Sequence, residues 1–333
     1  MNKTSMRVLV ALIIMAGFLA LGISKVDMGE ARLALAGVEW WSMSIVFVLY
    51  LATHVARSYR LQSLLAVPVS FPRLFSVNAI GFMAINVIPL RLGEAVRPYL
   101  LKEQDKVELG VSVAAIVVER LFDFSMLLFM LLLVGFAVDL PSHNIDIGSG
   151  SVDLIALGQR GAGVMLVLGI LAVSAALSMG DRVTGWFSRF SGLGRFISDV
   201  LVGFQEAFAR LRAEPTRGLN AFVCTVIVWV TTIVAVKIAL YSFGLPHGWN
   251  IALVAWTFTL TGMTFVPTPG FFGSYEACCA GALVLLGVAS ISQAMAFALV
   301  LHLGQFLYLS VVGVIFLIKE GISLGGVVRS SLA

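Results

Sequence analysis

Long apolar runs are the feature of this 333-residue chain that most restricts its fold. A helix needs about 20 apolar residues to cross the hydrocarbon core of a bilayer. Runs of about that length lie at 6–23, 40–58, 111–138, 161–178, 219–243 and 291–318. Only 12% of the residues are charged, against about 25% in a typical soluble domain, so most of the surface is expected to face lipid. The runs predict an all-α polytopic membrane protein with six spanning helices, the first of which is retained and not cleaved as a signal peptide.

Two further apolar segments, 74–88 and 251–266, are too short to be ordinary spans. They run into the sequences Asn86-Val-Ile-Pro-Leu-Arg-Leu-Gly-Glu-Ala-Val-Arg97 and Pro267-Thr-Pro-Gly-Phe-Phe-Gly-Ser-Tyr-Glu276. Proline and glycine break a helix, and a membrane tolerates the freed backbone groups only inside protein or beside a wet cavity. These segments therefore predict two re-entrant helical hairpins, at about 74–100 and 251–288.

The distribution of lysine and arginine predicts the orientation of the spans. Residues 57–106 carry seven of these basic residues and 181–218 carry six, whereas 139–160 carries one. Because cytoplasmic loops are enriched in basic residues, the first two regions and both termini are expected on the inner side of a bacterial or archaeal cytoplasmic (inner) membrane. The hairpins then enter from opposite sides, which fits an inverted repeat within a single transmembrane domain, 1–333. Helical spacing of apolar residues in 181–218 also predicts an amphipathic helix on the inner membrane surface.

Three charged residues lie inside the predicted span 111–138: Glu119, Arg120 and Asp123. Each would cost about 2.5–3.5 kcal/mol at the centre of an isolated inserting helix. Glu119 and Asp123 share a helix face, and Arg120 and Asp123 are spaced to form an ion pair. Two interpretations stay open: a self-neutralising structural pair, or a site for a charged lipid headgroup or a proton.

Charged residues at the first break are candidates for contact with a lipid headgroup. Arginine suits bidentate binding of phosphate, which makes Arg91 and Arg97 phosphate candidates. Both positions also suit ordinary basic residues of a cytoplasmic loop. Glu94 opens the helix after the break, where the helix dipole alone would favour a carboxylate.

The second break offers a candidate site for an anion. Successive backbone N–H groups from Gly270 to Gly273, with Ser274 beside them, can form an anion-binding cradle. Glu276 lies in the first turn of the next helix, where the helix dipole again explains a carboxylate without any function.

Four weaker polar residues are candidates for the lining of a cavity: Asn78, Asn86, His302 and Gln305. The two asparagines share a helix face and can satisfy the broken backbone. His302 and Gln305 also share a face and either line a cavity or bond another helix. The cysteines and the other histidines are scattered, so no metal, no cofactor and no catalytic residue is expected. No phosphate-binding loop of the nucleotide-hydrolysing type occurs in the sequence.

The two break sequences, together with Glu119-Arg-Leu-Phe-Asp123, resemble the flippase-like membrane domain of lysylphosphatidylglycerol synthases. The resemblance covers nearly the whole chain, with three motifs in the same order, and the family includes stand-alone proteins of about this size. It implies movement of a lipid or lipid-linked group across the cytoplasmic membrane. Family members have been linked to aminoacylated phospholipids, hopanoids and isoprenoid-linked glycans.

The chain departs from that family in two respects. Full synthases continue into a soluble aminoacyl-transferase domain, whereas this chain ends at Ala333, so aminoacyl transfer is not expected. Phe271 and Phe272 stand where a more glycine-rich turn is expected, which bears on the geometry of the cradle.

The leading hypothesis is therefore flipping of a phosphate-bearing lipid or lipid-linked group. The substrate would be a phospholipid, a hopanoid or a polyprenyl-phosphate-linked group, and no nucleic acid is expected as a partner. Arg97, Arg120 and Arg91 would hold the phosphate, while Glu94, Glu119, Asp123 and Glu276 balance the charge and one of them carries a coupling proton.

Two other classes of function stay open. The protein would be an integral-membrane lipid-modifying enzyme, or a membrane scaffold that recruits a cytoplasmic partner through 181–218. A second copy of the chain and a partner synthase are both left open as protein partners.

Overall fold

The structure of the protein, a computed structural model, describes residues 24, 26–88, 93–138, 144–147, 150–153 and 192–322, with isolated positions between 161 and 186. Its helices are α1 (Met28–Ala36), α2 (Trp40–Leu64), α3 (Phe71–Val87), α4 (Val96–Asp105), α5 (Leu109–Ala137), α6 (Leu193–Ala213), α7 (Pro215–Ser242), α8 (Trp249–Phe265), α9 (Ser274–Leu285) and α10 (Ile291–Lys319). A 3₁₀ turn at Pro269–Phe271 precedes α9. Two short strands, β1 (Asn144–Ile147) and β2 (Gly150–Asp153), pair antiparallel and are the described exception to the predicted all-α fold.

The structure supports a membrane-embedded helical protein without confirming the count of six spans. Within the described residues, α7 and α10 are long and apolar enough to cross a bilayer. The pair α1 and α2, bent by 81° at the break between them, would make a third span if counted together. The predicted span at 6–23, and all but isolated positions of that at 161–178, lie outside the described residues.

Both predicted breaks separate two helices. In the first, α3 ends at Val87 and α4 begins at Val96. In the second, α8 ends at Phe265, and Gly270 in the 3₁₀ turn has φ +59°, a left-handed conformation that glycine adopts without steric cost. The two breaks also meet, because a Cβ built on Gly270 would lie 3.2 Å from the backbone oxygen of Asn86.

Close helix packing surrounds these breaks. The hydroxyls of Thr53 on α2 and Thr231 on α7 lie 2.8 Å apart. A Cβ on Gly313 of α10 would lie 2.3 Å from Cβ of Met83 on α3, so the glycine lets these two helices approach closely. Helix α10 starts with a capping box, in which Ser290 Oγ accepts from the backbone N–H of Gln293.

Two large hydrophobic clusters and a small third one form the core of the described residues. The first large cluster joins α2, α7, α8, α9 and α10, and the second joins α3, α4 and the first half of α5. Helix α6 lies within the predicted amphipathic region and packs on the start of α5, where Gly203 approaches the backbone oxygen of Gly110. The first large cluster contacts the second half of α5 and the second contacts its first half. Polar residues in the middle of α5 therefore lie between the two large clusters.

Candidate functional site

A network of ionised side chains lies buried between four helices. Helix α2 contributes Arg60, α4 contributes Arg97, and α5 contributes Glu119, Arg120 and Asp123. Arg60, Arg97 and Glu119 are each at most 1% exposed. Buried charges of this kind persist only when they are paired and hydrogen-bonded.

Glu119 is the centre of the network. Arg97 donates two hydrogen bonds to its carboxylate, at 3.1 Å to Oε1 and 2.7 Å to Oε2. The guanidinium groups of Arg120 and Arg60 lie 2.5 and 3.3 Å from Oε1. Gly81 leaves room for this arrangement, since a Cβ there would lie 2.2 Å from Cγ of Arg97.

Asp123 forms the second anionic point of the network. Arg60 holds it in a bidentate pair, at 2.6 Å to Oδ1 and 3.1 Å to Oδ2. Arg60 also donates to the Thr225 hydroxyl on α7 at 3.3 Å, and Arg120 lies 3.2 Å from Oδ2 of Asp123. The network therefore ties α2, α4, α5 and α7 together, with three arginines against two carboxylates.

A cavity of about 550 Å³ adjoins this network. Its polar wall residues are Arg57, Asn86, Glu94, Arg120, Asp123, Thr232, Thr264 and Gln305. The rest of the wall is apolar and aromatic, and includes Trp229, Trp256, Phe82, Phe124 and Phe271. The volume falls in the range of about 300–1,000 Å³ that small-ligand sites occupy, and the lining suits a molecule with a charged end and an apolar end.

Arg57 is the cation of the described cavity wall that forms no ion pair with a carboxylate, since Asp123 and Glu119 act on it only from more than 4 Å away. In the part of the chain that the structure describes, no carboxylate oxygen lies within 4 Å of its guanidinium. The guanidinium carbon lies 4.5 Å from the ring centre of Phe82, a cation–π contact. With Arg57 and Glu94 added to the network, four arginines accompany three carboxylates, which leaves one net positive charge among the described residues at this site.

The second break does not present a free cradle for an anion. The N–H groups of Phe271 and Phe272 donate to the carbonyls of Thr268 and Pro269, at 2.9 and 3.3 Å. The N–H of Gly273 donates to Oε2 of Glu276 at 2.6 Å. The protein's own carboxylate and carbonyls thus occupy three of the N–H groups proposed for the cradle, because Glu276 caps the start of α9 and the 3₁₀ turn bonds the other two.

The side chains near this cap point into the protein. Ser274 Oγ donates to the carbonyl of Phe271 at 3.1 Å and lies 3.1 Å from the Thr268 hydroxyl. Gly270 packs against the first break. Nδ1 of His302 on α10 lies 2.6 Å from Oε1 of Glu276, so this pair fastens α9 to α10.

The predicted site residues therefore fall into separate groups. Asn86, Glu94, Arg120, Asp123 and Gln305 lie in the cavity wall. Behind the wall lie Arg97 and Glu119, and a second internal group is formed by Gly270, Gly273, Ser274, Glu276 and His302. Asn78 is fully buried and donates to Ser58 Oγ at 3.2 Å. Arg91 lies outside the described residues.

Sequence reasoning missed Arg57 and Arg60 as members of the site. It counted both only as basic residues of a cytoplasmic region. Their spacing was the available signal, because residues three apart share a helix face, and Thr53 lies one turn before Arg57 on the same helix. Polar residues on one helix face at the end of an apolar run indicate that this face packs inside the protein. Helix α2 extends to Leu64, and Thr53 and Arg60 on this face are buried.

Comparison with known proteins gives the family. The chain is 22% identical over 309 residues to a UPF0104 membrane protein of Methanothermobacter thermautotrophicus, covering 88% of this chain and 87% of that protein. It is 25% identical over 279 residues to the glycosyltransferase AglD of Haloferax volcanii, covering 74% of this chain and 43% of AglD. No solved structure matches the chain. The family model described as the lysylphosphatidylglycerol synthase TM region matches residues 8–313, and the chain belongs to this family of membrane proteins.

Proposed function

We propose that the protein moves a phosphate-bearing lipid, or a phosphate-linked group on a lipid, from one leaflet of the cytoplasmic membrane to the other. The observation that carries this proposal is the two-sided cavity. One part of its wall carries Arg57 and Arg120 beside a network with a net positive charge, and the other part is apolar and aromatic. A phosphate headgroup fits the first part and the start of a lipid tail fits the second.

Arg57 and Arg120 are the proposed contacts of the phosphate. Arg57 has no carboxylate partner among the described residues, and its stacking on Phe82 holds the guanidinium without using its N–H donors. The Arg120 side chain is 40% exposed, although its Nε is buried and its Nη2 pairs with Glu119 and Asp123. Guanidinium donors bind phosphate oxygens with charge-assisted hydrogen bonds. Arg97, a candidate on sequence grounds, is assigned the supporting role of holding Glu119.

The two broken helices are the proposed moving parts. The contact between Gly270 and the Asn86 backbone brings both breaks to the edge of the cavity. Six spans, hairpins that enter from opposite sides, an inverted repeat and cytoplasmic termini together complete the proposed arrangement. In transporters of that design, one repeat rocks against the other around a site near the midplane.

Translocation by the purified protein in liposomes tests this proposal. Fluorescent phosphatidylglycerol and a short fluorescent polyprenyl phosphate are the probes, and accessibility to an added quencher reports the leaflet. We expect transport of one probe class, and about a 10- to 100-fold lower initial rate for Arg57→Gln, because a hydrogen bond to a charged group contributes about 1.5–3 kcal/mol.

Arg217→Gln is the matched control for that experiment. Arg217 pairs with Glu214 at the start of α7, and its side chain is 36% exposed. This variant should transport at the wild-type rate. Equal rates for Arg57→Gln and wild type would refute the assigned headgroup site, and no transport of either probe by the wild-type protein would refute the proposed function.

An enzyme that acts on a lipid headgroup is the second candidate. The name of AglD favours it, although the chain spans less than half the length of that relative. Glu94 also faces the cavity, and in the described residues its carboxylate has no cation within 4 Å. Mass spectra of lipids incubated with the protein distinguish the two candidates, because an enzyme produces a chemically altered lipid and a translocase does not.

A further inference from the structure

A second buried ionisable site lies apart from the arginine network, where α9 meets α10. Glu276 is 1% exposed and His302 is 3% exposed. One carboxylate oxygen of Glu276 accepts from the N–H of Gly273 at 2.6 Å, and the other lies 2.6 Å from Nδ1 of His302. With the Glu276 carboxyl ionised, the 2.6 Å contact requires a proton on Nδ1, which leaves Nε2 as the ring position that can gain or lose a proton.

Among the described residues, aromatic rings surround this pair, and neither member has a further ion-pair partner. The Tyr275 ring stacks on the His302 ring at 4.3 Å and 6°, and the Phe272 ring lies 4.6 Å away. Tyr275 and Cys279 on α9 are the titratable groups that interact with Glu276. Tyr50 on α2 lies near Tyr275, and its ring centre is 5.8 Å from that of Tyr308 on α10. From α3, α7 and α8, no charged side chain of the described residues lies within 4 Å of it.

A single proton therefore decides the net charge of the pair. With Nε2 unprotonated, a carboxylate beside a neutral imidazole carries one negative charge. With a proton on Nε2, a carboxylate beside an imidazolium is neutral overall. Because an uncompensated charge in an apolar interior is strongly unfavourable, the two protonation states favour the closed contact between α9 and α10 to different extents.

A small polar compartment lies beside the cavity and reaches Gln305, one turn beyond His302 on α10, without being lined by Glu276 or His302 themselves. It is lined by Tyr50, Thr53, His54, Arg57, Thr232, Gln305, Tyr308 and Leu309, and its volume of about 10 Å³ is close to that needed by one water molecule. Oε1 of Gln305 and the hydroxyl of Tyr308 are buried without a hydrogen-bond partner. Arg57 and Gln305 line both the compartment and the cavity, and Gln305 is one turn beyond His302 on the same face of α10.

We propose that Glu276 and His302 form a proton-binding site, and that the proton bound there drives the lipid transport proposed above. The compartment between Gln305, Tyr308 and Arg57 would carry the proton, through one water, between the pair and the cavity. The coupling half of this inference rests on the proposed function, whereas the proton-binding half stands on the geometry of the pair alone.

Proton binding is tested by nuclear magnetic resonance of the full chain in lipid, with ¹⁵N-labelled histidine. The chain has four histidines, and His302→Gln identifies the signals of His302 by their loss. We expect the ring nitrogen signals of His302 to change with pH while the protein stays folded, because the proposal requires one of these nitrogens to bind a proton. Glu276→Gln should change this titration, because the amide still accepts from Gly273 but no longer stabilises an imidazolium.

Control variants keep the test of proton binding decisive. His247→Gln, at an exposed position outside the pair, should leave the His302 signals unchanged. Thermal unfolding by circular dichroism verifies that each variant is folded. Signals of His302 that stay constant over the pH range in which the protein is folded, or that respond identically in Glu276→Gln and wild type, would overturn the proton site.

The coupling is tested in the liposome assay with and without an imposed pH gradient. We expect the gradient to raise the wild-type rate several-fold, and His302→Gln and Glu276→Gln to transport at one rate under both conditions. A wild-type rate indifferent to the gradient, or a gradient response retained in both variants, would overturn the coupling. No lipid movement under any condition would instead contradict the proposed function and, with it, the coupling, while the histidine titration decides the proton site by itself.

Discussion

Arg60 on α2 and Asp123 on α5 form a bidentate ion pair, with N–O distances of 2.6 and 3.1 Å, although 63 positions separate them in the chain. The Arg60 side chain is fully buried and that of Asp123 is 24% exposed at the cavity. The pair thus fixes the position of a cavity-wall carboxylate from behind. The pair holds α2 and α5 together. Arg57, one turn earlier on α2, has no such ion pair and is the proposed contact of a ligand.

Replacement of Arg60 by glutamine is expected to destabilise the protein strongly. Loss of one partner from a buried ion pair typically costs about 3–5 kcal/mol, because the other charge stays buried without compensation. The measurement is the free energy of unfolding in mixed micelles, from a denaturing-detergent titration followed by circular dichroism. Arg217→Gln, which removes a surface pair with Glu214, should change it by about 0–1 kcal/mol. A small effect of Arg60→Gln would contradict the buried network.

Glutamine at Arg97 is expected to affect mainly the stability of the fold, and glutamine at Arg57 mainly lipid transport. Arg97→Gln should destabilise the fold by several kcal/mol, because it removes a bidentate partner of the fully buried Glu119. Arg57→Gln should cost about 1 kcal/mol, mainly its contact with the Phe82 ring, yet lower lipid transport. The two quantities to compare are unfolding free energy and initial transport rate for each variant. Equal destabilisation by both substitutions would show that Arg57 is structural.

The approach of α10 to α3 is expected to require glycine at position 313. A Cβ there would lie 2.3 Å from Cβ of Met83 and 2.8 Å from the carbonyl oxygen of Ala79. Gly313→Ala should therefore cost about 1–3 kcal/mol through overpacking. Gly281→Ala in α9 is the control, since nothing lies within 4 Å of its added Cβ, and it should be neutral or stabilise by up to about 1 kcal/mol. Similar unfolding free energies for the two variants would argue against the close helix contact.

The energetic effect of the contact between the two helix breaks can be measured by comparing alanine substitutions at two glycines with left-handed backbone conformations. Gly270 has φ +59° and Gly244 has φ +65°, so alanine at either position should cost about 1–2 kcal/mol through backbone strain. At Gly270 the added Cβ also meets the Phe272 ring at 3.1 Å and the Asn86 carbonyl oxygen at 3.2 Å, whereas at Gly244 it meets nothing within 4 Å.

We expect Gly270→Ala to be about 1 kcal/mol more destabilising than Gly244→Ala, because the added Cβ would crowd both the Asn86 carbonyl and the Phe272 ring. Thermal or denaturant unfolding of the two variants side by side provides the comparison. A smaller cost at Gly270 than at Gly244 would show that the breaks do not meet as described.

Several parts of the site could be inferred from the sequence because they depend on local chemistry. Proline and glycine near 89 and 270 predicted interruptions between helices, and helix pairs flank both positions. The charged triplet in α5 predicted an intramembrane polar site, and Arg120 and Asp123 lie in the cavity wall. The cradle prediction for Gly270–Gly273 differs from the structure because Glu276 was assigned to a ligand site when it serves as the cap of its own helix.

The sequence by itself determined that this chain is an apolar helical membrane protein, since the length of a bilayer-crossing helix and the cost of buried charge are properties of single segments. Only the tertiary structure decided which charges are neutralised. Arg60 forms an ion pair with Asp123 and Arg97 with Glu119, whereas Arg57 forms none within the described residues. Ion pairing depends on distances between helices far apart in the chain, and identical arginines are distinguished only by what packs beside them.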